Sequence, residues 1–216
     1  MEIFISIDGV LRNTIQKFDY HYNDAYIDSD IEGEEKFEYG ITEPIENDNI
    51  LNSYKFQSQE EYEYFRYMEY PIEIYGHAGL SYSTTFTDLH KMLYDNQEHS
   101  FTLVGLDELG KAKPATLFFL SKNGYLGNNI KFGRTDTIQE LWEKCDAWIT
   151  DDKIVLDNCP EGKTAIKFNT KYNGHFTYKK EISKLTEIQE PWLNYSENTT
   201  TLTLTESQTN VEPETE

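Results

Sequence analysis

Apolar residues in this chain fall into short unbroken runs separated by polar stretches with helical spacing. The first run, Ile3-Phe4-Ile5-Ser6-Ile7, is too short for a helix but long enough for a strand buried on both faces, and it breaks at Asp8-Gly9. Similar runs follow at Phe101-Thr102-Leu103-Val104-Gly105, Ile130-Lys131-Phe132, Ala147-Trp148-Ile149-Thr150 and Thr164-Ala165-Ile166-Lys167-Phe168-Asn169. Between them the apolar positions recur at helical spacing. Phe86, Leu89, His90 and Leu93 mark a helix opened by Thr84-Thr85 and ending near Asp95-Asn96. Pro114 opens another, with Leu117, Phe118 and Leu120 as its buried side and Asn123-Gly124 as its stop. A third, from Thr137 to Cys145, turns Ile138, Leu141, Trp142 and Cys145 to one side. Strand and helix alternate, which predicts an α/β fold with a sheet of about five parallel strands flanked by helices.

Two segments break the alternation. Residues 17–75 form an insertion in which Asp24 to Glu73 holds fifteen acidic residues against Lys36, Lys55 and Arg66. Its first part, Asp24 to Asn52, has few aliphatic residues and reads equally as a solvated loop or as an ordered partner-binding loop. Its second part, Tyr54 to Tyr75, is dense in Tyr and Phe. There Tyr64, Phe65 and Met68 predict the buried face of a short helix over Glu60–Tyr70, stopped by Pro71. Aromatic groups at that density pack first as the core of a small cap and second as a protein interface. The other segment, 186–216, has no Lys or Arg; Leu202 and Leu204 share one face of an alternating stretch suited to an added edge strand on a neighbour.

Charge narrows the partners. With a net charge of −20 and no cluster of Lys or Arg, the chain would be repelled by a nucleic-acid backbone. No apolar stretch is long enough to span a bilayer and no basic leader precedes the first strand, so synthesis in a cytoplasm is expected. Cys145 and Cys159 lack a metal-like pairing and read as reduced thiols, and Asn194 and Asn198 as chance matches to a glycosylation pattern. His77 and His90 read as a loop and a helix residue, and Lys111 and Lys113 as surface lysines.

In open α/β sheets ligands bind beyond the carboxyl ends of the strands, where Asp8-Gly9 and Asp151-Asp152 stand. An apolar strand followed by Ser-Ile-Asp-Gly-Val-Leu, with Asp-Asp after a later strand, resembles the haloacid dehalogenase (HAD) superfamily of phosphohydrolases. The resemblance covers residues 1–16 and 76–178, and Lys171-Tyr172-Asn173 adds a likeness to its deoxyribonucleotidase-like branch, many members of which tailed bacteriophages encode. It implies a HAD-like (Rossmannoid) core over 1–16 and 76–185, a cap over 17–75 and a C-terminal extension.

It also implies site roles. Asp8 matches the acid/base aspartate, and Asp151 and Asp152 match the acids that hold Mg²⁺, with Asp8 contributing its backbone carbonyl. Ser6 stands where the family has its nucleophilic Asp, Gly105 where it has a phosphate-binding hydroxyl, and Arg134 where it has a compact lysine. A serine hydroxyl needs a positioned base and brings no charge to a metal, and Gly105 has no side chain to offer. The expectation is therefore a vestigial site: no cofactor, Mg²⁺ only if the protein were active, and a structural or interaction subunit of a larger assembly such as a phage virion. Its expected contacts are residues 54–75 and 186–216. The alternative is a Mg²⁺-dependent phosphatase acting on nucleoside monophosphates.

Overall fold

The computed structural model describes residues 1–28, 37–46, 50–189 and 192. A sheet of six strands runs in the order β5-β4-β1-β6-β7-β8, where β1 is Glu2–Ser6, β4 Ser100–Leu106, β5 Ile130–Gly133, β6 Ala147–Thr150, β7 Thr164–Phe168 and β8 Glu181–Ile182. Every pairing in it is parallel. The first strand sits at the centre, with Ser6 level with Val104 of β4 and Ile5 level with Ile149 of β6. The sixth strand was not legible as an apolar run, because β8 is only two residues long.

Alternation along the strands divides the core in two. On one face Phe4, Val104, Trp148 and Ala165 pack against α6 (Ile138–Glu143) and α7 (Lys153–Asp157) through Leu141, Trp142, Val155 and Leu156. On the other, Ile3, Ile5, Leu103, Ile149 and Ile166 meet α4 (Thr85–Asp95) and α5 (Lys113–Lys122) through Phe86, Leu89, Phe119 and Leu120. Covering both faces is what requires the strands to read as continuous apolar runs.

Several helix faces differ from the expected ones. In α5 the buried residues are Ala115, Thr116, Phe119 and Leu120, while Leu117 and Phe118 are exposed. The helix touches both the sheet core and the cap, so small residues face the cap where a larger one would not fit. In α4 His90 is exposed, and Leu89 and Met92 carry the contact.

The insertion builds an aromatic core of its own. It is made by α1 (Thr14–Tyr22), a π-helical turn at Asn23–Ile27, α2 (Ile50–Ser53), α3 (Gln59–Tyr64) and π-helical turns at Phe65–Glu69 and Ile72–Gly76. Phe18, Tyr22, Tyr54, Phe65 and Tyr75 are almost wholly buried there and rest on Ala112 and Ala115 of the α5 region. Phe18 alone meets the rings of Tyr22, Tyr54, Phe56, Tyr62 and Phe65 at centroid distances of 4.9–6.4 Å, spacings at which aromatic pairs attract. The expected buried trio is corrected: Phe65 is buried, but Tyr64 and Met68 are 60% and 57% exposed. Tyr62, one turn before Phe65 on the regular helix, is buried, and after Tyr64 the helix widens to i→i+5 bonding, which shifts the phase and buries Tyr67 rather than Met68. The run does end before Pro71, where Tyr70 leaves helical geometry at φ −116° and ψ 26°, and Pro71 opens the next turn with φ −64°.

The chain after Lys184 is also partly core. Leu185 is buried, and Ile188 and Trp192 pack on the same cluster as Ile3 and Leu103. Leu202, Leu204, Asn194 and Asn198, with parts of the acidic loop, lie outside the described residues.

Candidate functional site

A cavity of about 560 Å³ opens at the carboxyl edge of the sheet. Its floor comes from Ser6, Asp8, Gly9, Asp151 and Asp152, and its far wall from Ile50, Leu51, Tyr62, Arg66 and Tyr67 of the insertion. The volume suits a small molecule, and a cleft between core and cap at the strand ends is where such sites occur.

The turn after β1 shapes the floor. The amides of Leu11 and Arg12 both donate to the Ile7 carbonyl and the Gly9 amide donates to the Arg12 carbonyl, folding Asp8 to Leu11 into a tight loop. Arg12 and Asn13 then form β2, antiparallel to β3 (Gly79–Leu80). Gly9 has φ +74°, and a Cβ there would lie 2.0 Å or less from the Asp151 carboxylate carbon and oxygens. Only glycine combines that conformation with so close an approach.

Ser6 is 7% exposed and its hydroxyl is doubly engaged. It donates to Thr150 Oγ1 at 2.8 Å and accepts from Trp148 Nε1 at 3.0 Å. Neither partner is a base, so nothing there activates the hydroxyl as a nucleophile.

Asp8 is bound by Arg12. Nε lies 2.7 Å from Oδ1 and Nη2 3.2 Å from Oδ2, a two-point guanidinium–carboxylate pair. Arg12 is 1% exposed and also donates to the Tyr75 carbonyl at 2.9 Å and to Thr116 Oγ1 at 2.9 Å, with its guanidinium carbon 5.0 Å from the Tyr75 ring centre. Sequence reasoning passed over Arg12. Its i+4 spacing from Asp8, next to an apolar run, was the available signal.

Asp152 caps α7, its Oδ1 accepting from the amides of Ile154 at 2.7 Å and Val155 at 3.4 Å. Asp151 is buried, and its carbonyl accepts from Asn173 Nδ2 at 3.2 Å. Among the described residues no three His, Cys, Asp or Glu side chains are placed to hold a metal ion. Asp8, Asp151 and Asp152 nevertheless line the same cavity. Arg12 takes the Asp8 carboxylate and Asp152 caps a helix, and Ser6 brings no charge where the resemblance expects a carboxylate, so the charged donors left for Mg²⁺ are fewer than that resemblance implies.

The remaining two expected positions lie off the site. Gly105 is on the opposite sheet face from Ser6, where a Cβ would meet the Phe132 ring at 3.1–3.2 Å and Ile7 Cδ1 at 3.7 Å. On Ser6's face, β4 presents Val104 and Leu106 to the cavity, both without a hydroxyl. Arg134 is exposed and pairs with Asp136, its Nε 2.9 Å from Oδ1, outside the cavity. The cations that do line the cavity are Arg12, Arg66 and Lys171.

A six-stranded parallel sheet with acids at its central carboxyl edge and a cap over that edge decides the architecture. The fold is haloacid dehalogenase-like. Among solved structures the HAD-like fold of this chain is similar to that of a haloacid dehalogenase-like hydrolase from Burkholderia xenovorans LB400, with a TM-score of 0.50 and 8% identity over 89% of this chain and 98% of the other. No protein-family model and no curated protein matches the chain. The HAD-like architecture is thus carried by backbone arrangement and by the few residues at the strand ends.

Proposed function

We propose that this protein is a catalytically degenerate HAD-fold chain that acts by binding, as an interaction subunit of a larger assembly, a phage virion being one such assembly. The observation that carries the reading is the Arg12–Asp8 pair. A general acid/base must exchange a proton with the reacting group. Here both Asp8 oxygens face a guanidinium that is fixed by two further acceptors.

The unactivated Ser6 hydroxyl and the missing carboxylate at that position support the same reading. Each deficit alone removes a large part of the barrier lowering that phosphoryl transfer needs. A partner surface is supported by the outer side of the insertion, where Tyr64, Met68 and Ile72 stand exposed on successive turns. Aromatic and Met side chains are enriched at protein interfaces.

The test is turnover and assembly together. Purified protein with Mg²⁺ should release no phosphate from p-nitrophenyl phosphate or deoxynucleoside monophosphates above a blank. In its native source it should co-purify with a larger particle, and substituting Tyr64 and Met68 by Asp should release it. Phosphate release abolished by Asp8→Asn would overturn the non-catalytic reading, and a native monomer would overturn the assembly.

A further inference from the structure

We infer that the insertion carries an anion-binding subsite on Arg66, which gives the cavity a ligand of definite chemistry: a small oxyanion, carboxylate or phosphoryl, on a flat apolar body. The inference rests on the reading of the cavity as a place for binding rather than turnover.

Arg66 lines the cavity from the cap wall. Its polar contacts are phenols: Nε donates to the Tyr75 hydroxyl and Nη1 to the Tyr62 hydroxyl. The rings of Tyr62, Tyr67 and Tyr75 surround it, their centres 5.3–5.7 Å from the guanidinium carbon. Among the described residues no carboxylate pairs with it. That is unexpected in a segment with fifteen acids and two other cations, and the nearest acids in sequence have other work. Glu63 accepts from Gln59 Nε2 at 2.9 Å, Glu61 from the Tyr39 hydroxyl at 2.6 Å, and Glu69 interacts with Tyr70.

Neutral rings and hydroxyls orient a cation without cancelling its charge. A partly buried, uncompensated guanidinium at a cavity wall attracts an anion more strongly than an exposed one, because the pair forms in a lower dielectric. Lys171 adds a second cation to the same cavity from the core side, lying over the Tyr172 ring at 4.6 Å. Ile50, Leu51 and Tyr67 supply apolar surface between them. The net charge of −20 opposes an anion at long range, a field screened beyond about 8 Å at physiological ionic strength, and Asp8, Glu63, Glu108, Asp151 and Asp152 line the same cavity, so an anion is held only where it meets Arg66 directly.

Calorimetry on the full chain with phenylphosphonate and, separately, benzoate tests this and distinguishes a phosphoryl from a carboxylate source. Saturable one-to-one binding of at least one probe is expected. Arg66→Gln should weaken it at least about tenfold, the usual worth of a hydrogen bond to a charged group. Arg66→Lys should fall between, since it keeps the charge and loses the fork, and Lys171→Gln should weaken it severalfold. Near-ultraviolet circular dichroism reports whether the tyrosine cluster survives. Binding of neither probe, or unchanged binding in a folded Arg66→Gln variant, overturns the subsite. If both Arg66 variants unfold, unchanged binding in Lys171→Gln overturns it. Phosphate release from phenyl phosphate is read separately: hydrolysis lost in Asp8→Asn would sink the non-catalytic reading and leave the Arg66 subsite standing.

Discussion

Arg12 Nε stands 2.7 Å from Asp8 Oδ1 across a four-residue turn, and the same guanidinium reaches the Tyr75 carbonyl in the cap at 2.9 Å. One side chain thereby closes the loop after the central strand, occupies the most conspicuous carboxylate of the site and ties the insertion to the core. Its Nε and both Nη atoms donate to these partners and to Thr116. Such a residue is structural first, and its loss leaves several buried acceptors without a donor.

Arg12→Met should therefore lower unfolding free energy by about 2–3 kcal/mol, less than for a fully buried ion pair because the Asp8 side chain is 30% exposed. Urea denaturation followed by tyrosine fluorescence measures it. A loss below about 1 kcal/mol would place the pair among ordinary surface ion pairs.

Ser6→Asp should not create a phosphatase. The new carboxylate would accept from Trp148 Nε1, as the serine hydroxyl does now, but Asp8 would remain on Arg12 and β4 would still offer Val104 and Leu106 to the cavity. Phosphate release with Mg²⁺ should stay at the blank, and measurable turnover would show that the nucleophile was the only missing part.

Gly9→Ala and Gly105→Ala should separate cleanly. At Gly9 the methyl would overlap the Asp151 carboxylate at a positive φ, so the variant should lose well over about 2 kcal/mol or fail to fold. At Gly105 the methyl meets the Phe132 ring at 3.1 Å in an ordinary strand conformation, and about 1–3 kcal/mol of overpacking is expected. Melting temperatures of the two variants decide the order.

Burial pushes the Cys145 thiol up to about 12, outweighing Lys163, which lowers it, and the Tyr39 hydroxyl is likewise pushed up to about 12 by burial and its bond to Glu61. Both groups are neutral when folded and ionise more readily when unfolded. Their contribution to stability is thus complete below the unfolded values, near 8.5 for Cys and 10 for Tyr, and lost as pH rises toward 12. Stability should decline from about pH 9 upward, and Cys145 should resist thiol reagents at pH 8 until denaturant is added. Reaction in the native protein at the rate of a free thiol would contradict its burial.

A chain ending at Lys184 should be less stable than the full one. It loses Leu185, 1% exposed, and the Ile188 and Trp192 side chains that rest on the sheet core. Full burial of one Leu is worth about 1.5–3 kcal/mol, so the melting temperature should fall by several degrees. An unchanged melt would mean that these contacts add nothing.

The central sheet was legible because a strand covered on both faces must be apolar at every position, and Ile3 to Ile7 or Ala147 to Ile149 have no other stable use. The acids at strand ends were legible for the same reason: the chain leaves the core there, and Asp-Gly and Asp-Asp mark the exit. What those acids do was settled by neighbours remote in sequence or brought round by a turn. Arg12 reaches Asp8 only because the loop folds back, and Gly9 meets Asp151 only because β1 and β6 are adjacent. Asp152 is taken up by the helix that follows it. The cap shows the same limit, since one widened turn after Tyr64 exchanged Met68 for Tyr67 as a buried residue. Periodicity reports what a segment must bury, which is a local requirement of the chain; the partner of each polar group depends on which strands and turns become neighbours, and only the packed structure specifies that.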